Sequence, residues 1–182
     1  MLPGTAAHAP AVFKIAELQK YSPEKNPKAG YLISKYSIDT YSHYAEQGFL
    51  TVVQKGSALA GFSVVIPWMN PELESSRDRL KPFLSELTLP DVMQIVLLDQ
   101  IASHPDMARS GAGTSLLQNF RRHYPRHTIL SAIMESPVSN AASISWHLKQ
   151  GFLRVATFSA QEFCGFQNYQ SGLYRFLATT SE

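Results

Sequence analysis

The sequence is poor in cysteine and in charged residues, and it has no long apolar run. Its single cysteine, Cys164, excludes an intrachain disulfide and fits a reducing compartment. Charged residues are 16% of the 182 residues and the net charge is +2, which is too small for the clustered basic patch of a nucleic-acid-binding protein. No stretch approaches the ~20 apolar residues that a membrane-spanning helix needs. These absences favour a cytoplasmic enzyme or small-ligand-binding protein, with no nucleic acid and no membrane as partner.

The histidine, cysteine and acidic residues show no metal-ligand spacing either, so no metal site is predicted. Hydrophobic residues make up 45% of the chain, enough to fill the core of one domain. We therefore expect a single domain over residues 1–182. Residues 1–10 read as a loose leader, and residues 69–91, rich in charge and proline, read as a helical insert.

The order of predicted elements is mixed, with strands and helices alternating in the second half. Apolar periodicity predicts helices over 31–48, about 111–123, and 140–150 with Gly151 as C-cap glycine. Strands are predicted over 11–18, 49–54, 58–68, 92–103, 128–135, 152–160 and 171–179. This order indicates an α/β or α+β fold around a central sheet.

The stretch "HPDMARSGAGTSLL", residues 104–117, joins a predicted strand to a predicted helix. Gly111 and Gly113 allow the backbone to approach a ligand, and the free N–H groups of a helix start attract anions. Arg109 adds a positive charge. The stretch is neither a Walker A loop nor a dinucleotide fingerprint, since residue 116 is leucine rather than glycine. A phosphate-binding loop and a glycine-rich turn without a ligand both remain open from this stretch alone.

A second block, "NAASISWHLKQGF" at residues 140–152, follows one predicted strand later. Together the two blocks resemble the GNAT superfamily of acetyl-CoA-dependent N-acetyltransferases, whose members show V-x-V-x-P-x-x-(Q/R)-x-x-G-x-(G/A) and then N-x-x-(A/S)-x-x-(F/L)-Y-x-x-x-G-F. The matching positions here are Ile101, Ala102, Ser103, Pro105, Gly111, Gly113, Asn140, Ser143, Trp146, His147, Gly151 and Phe152. The resemblance covers residues 92–155.

The resemblance implies a mixed, mostly antiparallel central sheet of about seven strands with helices on both faces, and acetyl-CoA as cosubstrate. By position, Ile101, Ala102 and Ser103 would pair with the pantetheine arm. The pyrophosphate would lie on Arg109, Ser110, Gly111, Ala112, Gly113 and Thr114. Asn140 would also contact the cofactor, although asparagine is equally suited to cap a helix there.

Two positions of the loop depart from the family pattern. Ala108 stands where glutamine or arginine is usual, and Ser110 stands where a second basic residue is common. Fewer side chains are therefore available to bind the phosphates. The alternative function is a non-catalytic acyl-CoA-binding sensor or partner-binding protein of the same fold. A phosphate-binding module outside the family is a further alternative.

The chemistry needs an acid for the departing thiolate and a base for the amine. Many family members use a helix tyrosine as the general acid, and by the resemblance His147 occupies its position. His147 can equally be a helix histidine without a catalytic role. Glu135 ends the strand before Asn140, at the spacing of a catalytic glutamate in bacterial ribosomal-protein acetyltransferases that the chain resembles. Asp99 lies in an apolar strand, where a carboxylate needs a partner or water. Glu135 is ranked slightly ahead as base, and a structural hydrogen bond is the alternative for Asp99.

The acceptor region is aromatic. Its members are Tyr31, Tyr36, Tyr41, His43, Tyr44 and Phe49. They suit an apolar or flat amine, and they are equally typical of a helix core. The sequence thus predicts transfer of an acetyl group from acetyl-CoA to a primary amine of a small molecule or peptide by direct attack, and a homodimer is compatible with it.

Overall fold

The computed structural model describes residues 1–24, 30–33, 35–74 and 94–177. Those residues form seven strands and four α-helices. The strands are β1 (Leu2–Pro3), β2 (Leu50–Lys55), β3 (Ala58–Pro67), β4 (Ile95–Ser103), β5 (Thr128–Ser136), β6 (Leu153–Phe163) and β7 (Phe166–Phe176). The helices are α1 (Ala9–Gln19), α2 (Ile38–Glu46), α3 (Ala112–His123) and α4 (Ala141–Lys149).

The strands hydrogen-bond in the order β1-β2-β3-β4-β5-β7-β6. Strand β4 runs parallel to β5, with Ile95 opposite Thr128 and Leu97 opposite Leu130. The pairs β1–β2, β2–β3, β5–β7 and β6–β7 are antiparallel. The fold is therefore the mixed, mostly antiparallel sheet with helices that the sequence predicts.

The chain divides into two compact units. Unit 1 comprises Met1–Asn26, Tyr31–Val65 and Asp99–Tyr124, and unit 2 comprises Pro27–Gly30, Ile66–Leu98 and Pro125–Glu182. In unit 1, α1 packs against α2, and the start of α3 packs on the β2–β3 hairpin through Val53, Ala60, Ala112 and Leu116. In unit 2, α4 packs on β5, and β7 is paired on both sides.

Two predictions for the N-terminal region are wrong. Residues 11–18 form part of helix α1 rather than a strand. Its buried side chains, Ala9, Val12, Ile15 and Ala16, recur every three or four residues, and Pro10 stands in the first turn, where it suits a helix start. Residues 1–10 are not a loose leader, because β1 pairs with Thr51 and Val52 of β2, and Ala6–His8 form a 3-10 turn that leads into α1.

Other elements begin or end near the predicted residues. Helix α2 is shorter than the predicted 31–48, because the Ser37 hydroxyl caps it by accepting a hydrogen bond from the Thr40 amide at 3.1 Å. Gly151 takes a left-handed φ of 89° after α4, as predicted for a C-cap glycine. Of the predicted insert at 69–91, only the part up to residue 74 is described, and it contains the 3-10 turn Pro71–Leu73.

Candidate active site

The predicted site residues fall into both units. Unit 1 holds Asp99, the Ile101–Ser103 segment and the loop from Arg109 to Thr114. Unit 2 holds Glu135, Asn140 and His147.

The loop before α3 is shaped by two left-handed residues. Gly111 is the N-cap residue of α3 with a φ of 81°, and a Cβ there would meet nothing within 4 Å. Glycine is thus needed for its backbone conformation and not for space. Arg109 also has a positive φ, 62°, which is uncommon for a residue with a side chain. A left-handed residue followed by a right-handed one, as at Gly111 and Ala112, turns successive N–H groups toward one side, which is the geometry of an anion-binding nest.

Four amides of this loop have no acceptor among the described residues, namely those of Arg109, Gly111, Ala112 and Gly113. The amides of Ala108 and Ser110, by contrast, donate to Pro105 O and Met107 O at 3.0 and 3.2 Å. The free amides stand at the positive end of the α3 dipole. Such an arrangement is suited to a phosphate group.

A lysine that the sequence analysis missed adds charge to the loop. Lys55, at the end of β2, donates a hydrogen bond from Nζ to Ser110 O at 3.2 Å. It is 55 positions from Ser110, so only the β2–β3 hairpin brings it there. The Lys55 ammonium group thus lies beside Ser110.

The Ile101–Ser103 segment forms the end of β4 in unit 1. Ile101 packs against the residues at the start of α3, and Ser103 O accepts a hydrogen bond from Gln19 Nε2 at 2.7 Å. A Cβ on Gly61 would lie 2.7 Å from Ala102 O, so β3 must carry glycine where it approaches this segment. The segment leads directly into the loop, which is the order that the cofactor prediction requires.

Asp99 is held by a tyrosine. The Tyr36 hydroxyl donates a hydrogen bond to Asp99 Oδ2 at 2.8 Å. Burial raises the pKa of Asp99 to about 6, and the hydrogen bond from Tyr36 partly opposes this rise. Asp99 forms no ion pair with a described residue. Its carboxyl group therefore titrates close to neutral pH, where a general base is most effective.

The tyrosines around Asp99 are fixed by a second polar pair. The Tyr41 hydroxyl donates to Gln100 Oε1 at 2.9 Å inside the core. Burial raises the pKa of Tyr41 to about 12 and raises that of Tyr36 as well. The ring of Tyr36 meets those of Tyr41 and Tyr44 edge-on, with centroids 5.8 and 5.4 Å apart. Both phenols are consequently neutral hydrogen-bond donors.

Glu135 forms an ion pair with an arginine within unit 2. It stands at a bulge between β5 and β7, and both of its oxygens accept hydrogen bonds from the Arg154 guanidinium at 2.7 Å. The Tyr174 hydroxyl donates to Glu135 Oε1 at 3.0 Å. The bond from Arg154, more than any other contact, lowers the pKa of Glu135. A carboxylate stabilised in this way is a weaker base than Asp99.

His147 lies inside the core of unit 2 and is only 1% exposed. Its Nδ1 lies 2.8 Å from Ser143 O, so Nδ1 carries the proton and donates. Burial lowers the pKa of His147 to about 4. Nε2 has no hydrogen-bond partner among the described residues. The imidazole is thus neutral at pH 7 with no proton on Nε2, a state that does not suit the predicted role of acid.

Asn140 caps α4. Its Oδ1 accepts a hydrogen bond from the Ser143 amide at 3.4 Å, and the residue is 5% exposed. This geometry corresponds to the helix-capping alternative. Its cofactor contact stays a prediction.

Across the described part of the chain, no three His, Cys, Asp or Glu residues are grouped so that they could hold a metal ion. No helix in that part combines the length and apolar character needed to cross a membrane.

Comparison with family models and with curated proteins gives no match. Solved structures do match over nearly the whole chain. The yncA protein of Salmonella typhimurium, solved with its cofactor acetyl-CoA, has a TM-score of 0.67 at 14% identity and covers 100% of this chain and 94% of its own. The ribosomal-protein-S18-alanine N-acetyltransferase of Escherichia coli has a TM-score of 0.65 at 14% identity, with the same coverage.

A GNAT-family acetyltransferase of Bacillus cereus ATCC 10987 has a TM-score of 0.62 at 14% identity and covers 97% of this chain and 94% of its own. At such identities the likeness is one of fold. The chain has the fold of the GNAT N-acetyltransferases.

Proposed function

We propose that this protein is an N-acetyltransferase that uses acetyl-CoA and transfers its acetyl group to a primary amine of a small molecule or peptide. The observation that carries the proposal is the loop before α3. Four of its backbone amides have no acceptor among the described residues, and they stand at the N-terminus of a 12-residue helix. The fold supports the proposal, since solved structures of this fold include one with acetyl-CoA and one named for alanine N-acetylation.

The residues present fit the diphosphate of a CoA ligand. The amides of Arg109, Gly111, Ala112 and Gly113 would donate to phosphate oxygens, and Lys55 would add a full positive charge. The Ile101–Ser103 segment would carry the pantetheine arm. Bound acetyl-CoA supplies the thioester from which the acetyl group is transferred.

The base in this proposal is Asp99. Its pKa of about 6 lets it take up a proton at neutral pH and release it again to water. Glu135 ranks second, because Arg154 holds it as a stable carboxylate. This order reverses the one drawn from the sequence, where neither the Tyr36 contact nor the Arg154 contact is visible.

His147 is not the acid in this proposal. The neutral imidazole has its only proton engaged with Ser143 O. The acceptor enters as an ammonium ion and loses two protons on becoming an amide, one to Asp99 and one to the departing sulfur.

The first experiment is calorimetric titration with acetyl-CoA, CoA and ATP. We expect micromolar binding of both CoA ligands and little binding of ATP. Gly111→Ala should weaken binding because it strains the loop. Gly165→Ala is the matched control, since Gly165 has the same φ of 81° and equally open surroundings, but lies in the β6–β7 turn.

Thiol release with a panel of amines then tests the transfer. Turnover that falls in Asp99→Asn and persists in Glu135→Gln is the expected result. Absence of binding would refute the cofactor assignment. Binding of acetyl-CoA without turnover of any amine would favour the non-catalytic sensor over the enzyme.

A further inference from the structure

Gln19, the last residue of α1, ties that helix to the end of β4. Its Nε2 donates a hydrogen bond to Ser103 O at 2.7 Å, across 84 positions of the chain. The side-chain atom that faces a carbonyl oxygen must be the amide nitrogen, since only the nitrogen can donate. Helix α1 also packs against the 3-10 turn Pro105–Met107, which follows Ser103 after one residue. The end of β4 is thus held in place by α1.

The backbone of Gln19 is itself fixed by neighbouring residues. The Leu32 amide donates to Gln19 O at 2.8 Å, and the Tyr21 amide donates to Leu32 O at 2.8 Å. Lys20 and Leu32 form a parallel β-bridge, and the rings of Tyr21 and Tyr31 pack with centroids 4.9 Å apart. Gln19 is half-buried, so its side chain has little conformational freedom left to lose when it forms a hydrogen bond. This side chain is therefore a stiff support for the strand end that it contacts.

The hydrogen bond from Gln19 lies on the edge of β4 that points away from β3. The His104 amide donates to Ala60 O of β3 at 2.9 Å. Ser103 O belongs to the same trans peptide unit as the His104 amide, and the two groups of such a unit point in opposite directions. Ser103 O therefore points away from β3. Because hydrogen-bonding groups alternate between the two edges of a strand, the N–H and C=O groups of Ile101 point the same way.

Beyond Leu97, no described strand pairs with this edge of β4. Strand β5 is in register with β4 only from Ile95 to Leu97. The edge at the end of β4 therefore presents the Ile101 N–H, the Ile101 C=O and the Ser103 N–H in that order, while Gln19 occupies the Ser103 C=O. A donor, an acceptor and a donor in sequence match the alternating amide groups of a pantetheine arm. The next acceptor along the strand is already engaged by the protein.

We propose that Gln19 is a positioning residue for the cofactor: by occupying Ser103 O, it fixes the end of β4 and sets the point at which pairing with the pantetheine arm stops. The inference rests on the proposed use of acetyl-CoA. Gln19 bonds to the carbonyl of Ser103 and not to the phosphate-binding amides of the loop before α3. Its loss should therefore weaken the binding of ligands that carry the arm and spare that of ligands that carry phosphates alone.

Calorimetry with two ligands tests this division. CoA carries phosphates and the amide arm, whereas adenosine 3′,5′-bisphosphate carries phosphates and no arm. Gln19→Ala should weaken CoA binding about three- to tenfold, the usual effect of losing one hydrogen bond between uncharged groups, and should leave bisphosphate binding unchanged. Gly111→Ala, which strains the loop, should weaken the binding of both ligands. Gln47→Ala is the matched control and should bind both normally, since Gln47 is an exposed glutamine just after α2.

Gln19→Glu gives a readout that a purely structural tie would not move. At pH 8 the new carboxylate has no proton to donate and faces the Ser103 carbonyl, so CoA binding should fall further than in Gln19→Ala. A protonated carboxyl group can donate the same hydrogen bond, and the ordinary pKa of glutamic acid is about 4.3. The CoA affinity of this variant, relative to the wild type, should therefore recover in part as the pH falls from 8 to 5.

The relative affinity of Gln19→Ala should stay constant over the same pH range. In steady-state thiol release, Gln19→Ala should raise the KM for acetyl-CoA and leave kcat nearly unchanged, because the arm is bound alike in the ground state and in the transition state.

The outcomes distinguish this inference from the proposed function. CoA binding by Gln19→Ala at wild-type affinity, or an equal loss of CoA and bisphosphate binding, would overturn the positioning role and leave acetyl transfer standing. A wild-type protein that binds no CoA would overturn both. Gln19-dependent binding of CoA without turnover of any amine would support the positioning role and refute the transferase.

Discussion

Replacing Asp99 by asparagine should make the protein more stable while removing its activity. The folded pKa of Asp99, about 6, lies above its ordinary value of 3.8 because the carboxyl group is buried. A carboxyl group of this kind costs no stability below pH 3.8. Its cost grows as the pH rises from 3.8 to about 6, because over this range the unfolded chain loses its proton while the folded chain retains it, and the cost is nearly constant above this range.

The size of the effect follows from the shift. A rise from 3.8 to about 6 corresponds to about 3 kcal/mol at most. Asp99 as a whole residue is half-buried, so about 1 to 3 kcal/mol is the expected gain for Asp99→Asn at pH 7.5. Asparagine retains an oxygen that can accept the Tyr36 hydrogen bond, and its amide group is uncharged at every pH of the assay.

Urea unfolding at pH 4.5, 6 and 7.5 measures this gain. The stability difference between Asp99→Asn and the wild type should be smallest at pH 4.5, clearly larger at pH 6 and only slightly larger again at pH 7.5. Asp39→Asn, in the first turn of α2, should lower stability by about 0.3 to 1 kcal/mol, which is the usual size of a helix-dipole contribution. A variant that is less stable than the wild type at pH 7.5, or a difference that stays constant across the three pH values, would refute the reasoning.

Three further outcomes are expected. Lys55→Ala should raise the KM for acetyl-CoA roughly tenfold with little change in kcat, and Lys55→Arg should retain most of the affinity, as steady-state kinetics would show. Gly172→Ala should cost about 2 kcal/mol in urea unfolding, because its methyl group would overlap both Glu135 Oε1 and the Tyr174 ring. His147→Phe should reduce the loss of stability between pH 6.5 and pH 4, where the unfolded chain takes up a proton that the buried imidazole refuses; an unchanged loss would contradict the pKa of about 4.

The parts of the site that are local in the sequence could be predicted from it. The loop before α3 needs only Gly111, an apolar strand before it and an apolar helix after it, and these lie within the 29 residues from Ile95 to His123. The sequence pattern of α1, by contrast, does not distinguish a helix from a strand. Phe13 and Leu18 add apolar residues outside its buried face, and Leu18 is 40% exposed, so the sequence shows alternation as clearly as helical spacing.

Contacts between residues that are far apart in the chain could not be predicted from the sequence. Asp99 and Tyr36 are 63 positions apart, and their contact depends on where α2 begins, seven residues later than its apolar pattern suggested. Glu135 meets Arg154 only through the register of β5, β7 and β6, which includes a bulge on each side of β7. Which of the two carboxylates is the stronger base depends on these contacts and could not be predicted from residue type.

The Glu135–Arg154 pair also restricts how this chain can change over evolutionary time. Gly172 lies on β7, the strand between those that carry the two charged residues, and any side chain there would occupy the volume of the Glu135 carboxylate. A larger residue at position 172 therefore displaces both the Glu135 carboxylate and the Tyr174 ring, and loss of Arg154 leaves Glu135 without its cation. Among relatives of this chain, a residue larger than glycine at position 172 is expected only together with a change at position 135, and loss of the arginine at position 154 is expected to accompany a change at position 135.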